Sequence, residues 1–359
     1  MKFNKISKKL AACSLAGVMM VSMLGMTAFA ANDDSATGAV GEGGVSFTKT
    51  LDMSQAVGAS VPDVTFTYDI NPGAHKDATA TTPEILAGIE GAKIGTAAYT
   101  YEDEAATTID KCVSVDFSKV TWPAPGIYRY IITEKATSGN ADITNDGNPT
   151  RYLDVYVVNG EKTGEYRIAS QALSTSDAAP TGNKYINKSA GFTNKYKTYA
   201  LSLKKVVDGT MGDKGRTYNF TIKFEGPANA SFKMGDKTIT LNNAGIGSTN
   251  IGLTNDSMET INGIPSTVKY TVVENINKND GYTVSYKVND NAVDSTTEAT
   301  SVSTSQQTMG TADNAVVCTN SKDAVTPTGI AMTVAPYILM VAVAGIFAIL
   351  FLRRRHEEA

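Results

Sequence analysis

The sequence predicts an all-β chain built from two tandem β-sandwich domains. Short runs of alternating apolar and polar residues recur from residue 45 to residue 322. Turns rich in Gly, Asn, Asp and Pro separate them, and no long amphipathic helical pattern interrupts them. Many short strands at this spacing each bury one face, and two sheets packed face to face satisfy them all.

The elements follow in order. Residues 1–30 read as an export signal. Lys2, Lys5, Lys8 and Lys9 precede an apolar stretch from Leu10 to Met26, and Ala28-Phe29-Ala30 supplies a small-residue cleavage site before Ala31. Cys13 lies at the start of that stretch, the wrong end for lipid modification. Residues 31–44, Gly-rich and without an apolar period, read as a flexible leader. The first domain spans 45–196, with strands expected at Val45–Lys49, Thr65–Ile70, Tyr128–Ile132 and Tyr152–Val158. A short helix is expected from Glu84 to Ile94. The second domain spans 197–322, with strands at Leu201–Leu203, Tyr218–Phe224, Thr238–Leu241, Val268–Val272 and Tyr282–Tyr286.

A three-part tail closes the chain: Val325-Thr326-Pro327-Thr328-Gly329 within 323–329, an apolar segment over 330–352, and a basic end over 353–359. The 22 residues from Ala331 to Leu352 carry no charge, enough for one helical membrane crossing that tolerates Pro336. Arg353-Arg354-Arg355 would hold that end on the cytoplasmic side.

Between Ala31 and Thr328 there are 25 basic and 34 acidic residues, a net charge of −9. That balance argues against nucleic acid or anionic lipid as a partner. Cys112 and Cys318, one per domain, form no disulfide framework and read as buried free thiols. The chain has two histidines, His75 and His356. The sequence holds no Cys/His metal set, Gly-rich phosphate loop, Gly-x-Ser-x-Gly elbow or Cys–Gln thioester pair. No metal, cofactor or conventional enzyme site is therefore expected. Asp146-Gly147 and Asp280-Gly281 read as turns, and Trp122 beside Pro123 as packing.

The two domains share a sparse pattern. Each carries Lys, Glu and Asn in that order: Lys49, Glu134 and Asn194, then Lys205, Glu274 and Asn320. The Lys-to-Glu and Glu-to-Asn intervals are 85 and 60 residues in the first and 69 and 46 in the second, as loops of different length allow. Side chains two apart on a strand share a face. Lys49 thus lies with Val45 and Phe47, Glu134 with Tyr130 and Ile132, Lys205 with Leu203 and Val207, and Glu274 with Tyr270 and Val272. Asn320 lies with Val316 and Cys318, whereas Lys204 points outward. Two sets of polar residues on apolar faces call for a chemical explanation, because an unpaired buried charge is costly. The bland alternative is that Lys49 and Lys205 reach solvent and pair with Glu134 and Glu274.

The chemical explanation is a self-formed amide. Burial favours neutral lysine and protonated glutamate. The amine could then attack the Asn carbonyl while the glutamate, as catalytic acid and base, relays protons. The Tyr-x-Ile/Val-x-Glu segments, the Lys-Lys-Val-Val-Asp-Gly run and the closing Phe-Thr-Asn and Cys-Thr-Asn resemble the intramolecular isopeptide domains of Gram-positive pilins and cell-wall adhesins. The resemblance is closest to the two-domain major pilins assembled by sortases. It implies Ig-like sandwiches of the collagen-adhesin B type with Lys49–Asn194 and Lys205–Asn320 cross-links, promoted by Glu134 and Glu274.

Val325–Gly329 likewise resembles a sortase sorting signal, cut between Thr328 and Gly329. The resemblance implies a pilus shaft subunit at the cell surface. Its partners would be a sortase, identical subunits in a covalent polymer, peptidoglycan or its precursor, and minor pilins. A monomeric sortase-anchored adhesin on the same scaffold is the alternative. Shaft pilins of this kind often carry a Tyr-Pro-Lys box for the acceptor amine, and this chain has none. Lys188, then Lys184, are the expected acceptors, because both enter the last strand of the first domain in a polar, turn-like context.

Overall fold

The computed structural model describes residues 38–39, 44–137, 140–182, 184–324 and 336–349. The export signal, the pentapeptide and the arginine stop lie outside the described residues.

In the first domain the opening strand, Val45–Gln55, turns Val45, Phe47, Lys49, Leu51 and Met53 inward. It pairs antiparallel with Thr108–Asp116 on one side. On the other it pairs parallel with the closing strand, Gly191–Lys197. The facing sheet holds Tyr166–Ser174, Thr150–Asn159, Gly126–Glu134 and Tyr68–Pro72 in that order. The core between the sheets includes Phe47, Tyr68, Tyr130, Leu153 and Phe192. Phe47 meets Tyr68 and Phe192 edge-on, with ring centroids 5.2 and 5.5 Å apart.

The second domain repeats the plan. Its opening strand, Tyr199–Asp208, lies between Met258–Ile264 (antiparallel) and the closing strand Asn314–Ser321 (parallel). Ile246–Leu253, Tyr218–Glu225, Lys269–Glu274 and Val302–Thr304 form the facing sheet. Phe220, Ile222, Phe224, Tyr270 and Val272 fill the space between. A parallel neighbour requires a long crossover. In both domains the rest of the domain is that crossover, so first and last strands lie side by side.

The domains touch directly. Ser60 N–H donates to Ser231 O at 3.0 Å, and Ser266 N–H donates to Asp142 Oδ2 at 2.9 Å. At Gly263 an added Cβ would lie 2.4 Å from the Ala59 nitrogen, so the backbones meet where no side chain fits. A cleft of about 590 Å³ remains beside this contact, between Ser60–Thr67 and Pro227–Ala230.

Several expectations change. Glu84 to Ile94 forms no helix; Leu86–Ala87 and Lys93–Ile94 are short strands that join the two sheets at Gly126–Glu134 and Thr108–Asp116. Sheet pairing outweighs the weak local propensity there. The expected strand Thr65–Ile70 divides into Val64–Phe66 and Tyr68–Pro72, which belong to different sheets. Within the leader, Gly38–Ala39 pairs with Ser170 and Gln171. Cys318 is buried as expected, but Cys112 is only half-buried. Residues 336–349 of the apolar tail are helical and exposed, and among the described residues no helix is long and apolar enough to cross a membrane.

Gly209 ends the Lys-Lys-Val-Val-Asp-Gly run with φ +84°, and an added Cβ would lie 2.3 Å from Lys322 O. Both the left-handed backbone and the departing chain require glycine here. Gly209→Ala should destabilise the protein by about 1–3 kcal/mol in urea unfolding; an unchanged midpoint would refute this account of the run.

Candidate cross-linking sites

Strand register brings the two halves of each site together. Phe192 stands opposite Lys49 in the parallel ladder, and Asn194 lies two residues further along on the same face. In the second domain Cys318 stands opposite Lys205, and Asn320 again lies two residues on. The same offset thus recurs in both domains. The glutamates arrive from the facing sheets, at the ends of Gly126–Glu134 and Lys269–Glu274.

In the first site Lys49 Nζ donates to Glu134 Oε1 at 2.7 Å and to Asn194 Oδ1 at 2.5 Å. Lys49 and Asn194 are 0 % exposed and Glu134 4 %. The amine sits 4.1 Å above the centroid of Phe66. Burial pushes the Lys49 amine below its ordinary value of 10.5, although Glu134 and, more weakly, Asp146 favour the ammonium. The Asn194 carboxamide is held from the strand-connecting turn as well. Asp146 N–H donates to its oxygen at 3.1 Å, and its Nδ2 donates to Asn145 Oδ1 at 3.3 Å.

In the second site Lys205, Glu274, Cys318 and Asn320 are each 0 % exposed. Glu274 Oε1 accepts from Lys205 Nζ at 3.0 Å and from Asn320 Nδ2 at 2.8 Å, bridging the two residues. The Cys318 thiol lies 3.5 Å from Lys205 Nζ and 3.7 Å from Asn320 Oδ1. Burial, helped by the Glu274 carboxylate, raises the Cys318 thiol far above its ordinary range, so it remains an S–H group. Tyr218 and Phe220 cover the amine, with centroids 4.5 and 5.6 Å away.

All six residues of the repeated Lys–Glu–Asn pattern therefore converge, three per domain. Neither lysine reaches solvent, which removes the snorkelling alternative; each does pair with its glutamate, but inside the core. Lys184 and Lys188 are exposed, on either side of buried Tyr185. Tyr185 Oη donates to Asp154 Oδ2 at 2.7 Å and pins the segment to the sheet. Trp122 packs on Tyr128 and Phe117 at 4.8 and 5.7 Å. Sequence reasoning missed Asn145, Asp146 as a partner of Asn194, Arg151, and the Arg129–Asp154 ion pair buried on the outer face of its sheet. The Asn-rich Asn145-Asp146-Gly147-Asn148 turn was the available signal for the first two.

Comparison with known proteins follows the same division. Residues 45–197 match the Spy0128-like isopeptide containing domain, a segment that opens just before Lys49 and closes just after Asn194. Residues 199–322 match a domain of unknown function (DUF7601). A curated pilin of Streptococcus pyogenes serotype M1 is 27% identical over 357 residues, which cover 94% of this chain and 98% of the relative. The chain is similar to a Gram-positive pilin over nearly its whole length. It is a structural subunit of a pilus, not a conventional enzyme. The crystal structure of the major pilin from Streptococcus pyogenes shares its fold, with a TM-score of 0.58, 22% identity, and coverage of 78% of this chain and 98% of that one. The T3.2 major pilin of the same species gives a TM-score of 0.57 at 21% identity, covering 81% and 99%.

Proposed function

We propose that this pilin is a shaft subunit that cross-links itself through Lys49–Asn194 and Lys205–Asn320 and is then polymerised and wall-anchored by a sortase. The observation that carries the reading is the duplicated, fully buried Lys–Glu–Asn cluster at the same offset of first and last strand. Nζ attacks the Asn side-chain carbon, forming the new C–N bond. A proton from Nζ passes through the glutamate to the departing amide nitrogen, and ammonia leaves. Each bond closes a loop of 145 or 115 positions. By chain entropy each is worth about 5 kcal/mol, a model-dependent figure. Glu134 and Glu274 are the catalytic groups of this single-turnover reaction.

The assembly reading rests on the family and on the tail. Cleavage before Ala31 and between Thr328 and Gly329 would leave Thr328 to be joined to an amine of the next subunit, with peptidoglycan as the final acceptor. Lys188 is the proposed acceptor and Lys184 the second choice, since both are exposed beside the start of the closing strand of the first domain.

Three outcomes test this. The intact mass of the Ala31–Thr328 region should be low by two ammonia losses. Glu274→Ala should restore one of them and lower the melting temperature, whereas a mass equal to the unmodified sequence removes the cross-linking chemistry. Because burial lowers the Lys49 pKa, the amine is deprotonated at a lower pH than an exposed lysine. The rate of first-bond formation in freshly translated chains should rise with pH and level off below 10.5; a plateau only at or above that value would contradict the assignment. In cells carrying the native sortase, wall extracts should contain a ladder of covalent multimers that Lys188→Ala with Lys184→Ala abolishes. A persisting ladder moves the acceptor elsewhere, and a monomer from the wild type replaces the shaft subunit with a monomeric adhesin.

A further inference from the structure

We infer that the Asn145–Asp146 turn is a carboxamide-holding elbow that promotes the first cross-link, a second set of working groups beside Glu134. The inference rests on the cross-linking reading and extends it to residues outside the repeated Lys–Glu–Asn pattern.

The elbow grips Asn194 at both polar ends. Asp146 N–H donates to Oδ1 at 3.1 Å, and Asn145 Oδ1 accepts from Nδ2 at 3.3 Å. Oδ1 is where negative charge develops when Lys49 Nζ adds to the carbon. A preorganised N–H aimed there stabilises the tetrahedral intermediate more than the ground state. Nδ2 becomes the leaving ammonia, and an acceptor on it fixes the rotamer that turns the carbon toward Nζ.

The elbow is itself fixed. Asp146 Oδ2 accepts from Arg151 Nη2 at 2.8 Å and from Thr193 N–H at 2.9 Å, beside Asn194 in the closing strand. Asp146 Oδ1 accepts from Asn148 N–H at 2.9 Å. Arg151 is 5 % exposed, donates to Gly191 O at 2.9 Å and lies 4.5 Å from the Phe192 ring centroid. Two buried strands thus clamp one turn against the carboxamide. Asp146 and Arg151 are positioning residues; the Asp146 N–H and Asn145 Oδ1 touch the reacting group.

The second site is built otherwise. There Asn320 Nδ2 is held by Glu274, and Asn320 Oδ1 faces the Cys318 thiol at 3.7 Å. The elbow therefore serves one bond only, and the other is an internal control in the same chain.

The test is a time course of both bonds in freshly translated full-length chains, read by mass spectrometry of the linked peptides. Asn145→Ala and Asp146→Ala should slow the Lys49–Asn194 bond at least roughly tenfold and leave Lys205–Asn320 at the wild-type rate. Asn145→Asp, which keeps an acceptor for Nδ2, should recover most of the first-bond rate. Asn145 Oδ1 also accepts from Thr137 N–H and Oγ1, at 3.2 and 2.9 Å, so folding has to be separated from the rate. The same substitutions in a Lys49→Ala background, which cannot form the first bond, report folding alone by thermal melting. A first-bond rate unchanged in both alanine variants overturns the elbow, as does a rate loss matched by an equal loss of folding in the Lys49→Ala background. Absence of the first bond from the wild type instead overturns the cross-linking reading itself.

Discussion

The structure depends on one constraint: the first and last strands of each domain run side by side and parallel. Only that pairing sets a lysine near the start of a domain against an asparagine at its end. It also makes the rest of the domain a covering layer, so that both groups lose contact with water. Burial would then serve the proposed cross-linking chemistry. It favours the uncharged amine at Lys49, and it leaves a glutamate from the opposite sheet as the nearest group able to exchange a proton. An ordinary ion pair in the same place would be a poor source of stability, since desolvation offsets most of its attraction. A covalent bond in that place gains from the same dry surroundings, which keep water from competing with the amine.

Much of this was legible in the sequence because a strand has a period of two. Parity placed Lys49, Glu134, Lys205, Glu274 and Asn320 on buried faces, and the closing Phe-Thr-Asn matched Asn194 to Asn320. Parity says which face a residue occupies, not which sheet faces it, so the approach of the glutamates from the opposite layers came only from the structure. It also misreads outer faces that become covered. Arg129 alternates outward between Tyr128 and Tyr130, yet it is 1 % exposed and paired with Asp154 at 2.7 Å. The cover is supplied by remote segments: Gly73 packs on the Arg129 side chain, and Asp177 bonds its guanidinium. Nothing local to Arg129 encodes that. The Asn145–Asp146 turn was visible as a turn, but its role is a contact 48 residues away and has no periodic signature.

The two sites reach one arrangement by different means. In the first, the Asn carboxamide is held from a turn and Glu134 bonds the amine. In the second, Glu274 bridges amine and carboxamide, and a thiol occupies the space where the first domain places Phe192. Cys318 stands at the ladder position equivalent to Phe192, and its thiol lies 3.7 Å from Glu274 Oε2. The shared element is strand register; the polar surroundings are particular to each domain.

The position of each proposed bond relative to an applied pull would differ between the domains. In the second domain the chain enters at Tyr199 and leaves past Ser321, along parallel strands paired from Leu201 with Asn314 to Asp208 with Ser321. Tension across these ends shears that ladder in register. A Lys205–Asn320 bond near its exit would carry the force across directly and leave the residues between them unloaded. In the first domain, a subunit joined through Lys188 would apply its pull just before the closing strand, which leads straight to Thr198 and the second domain. The Lys49–Asn194 bond would then lie beside the force path, not in it, and its work would be to keep the loaded strand from being drawn out of its sheet. One chemistry repeated at one register would thus serve as a conduit in one domain and as a staple in the other.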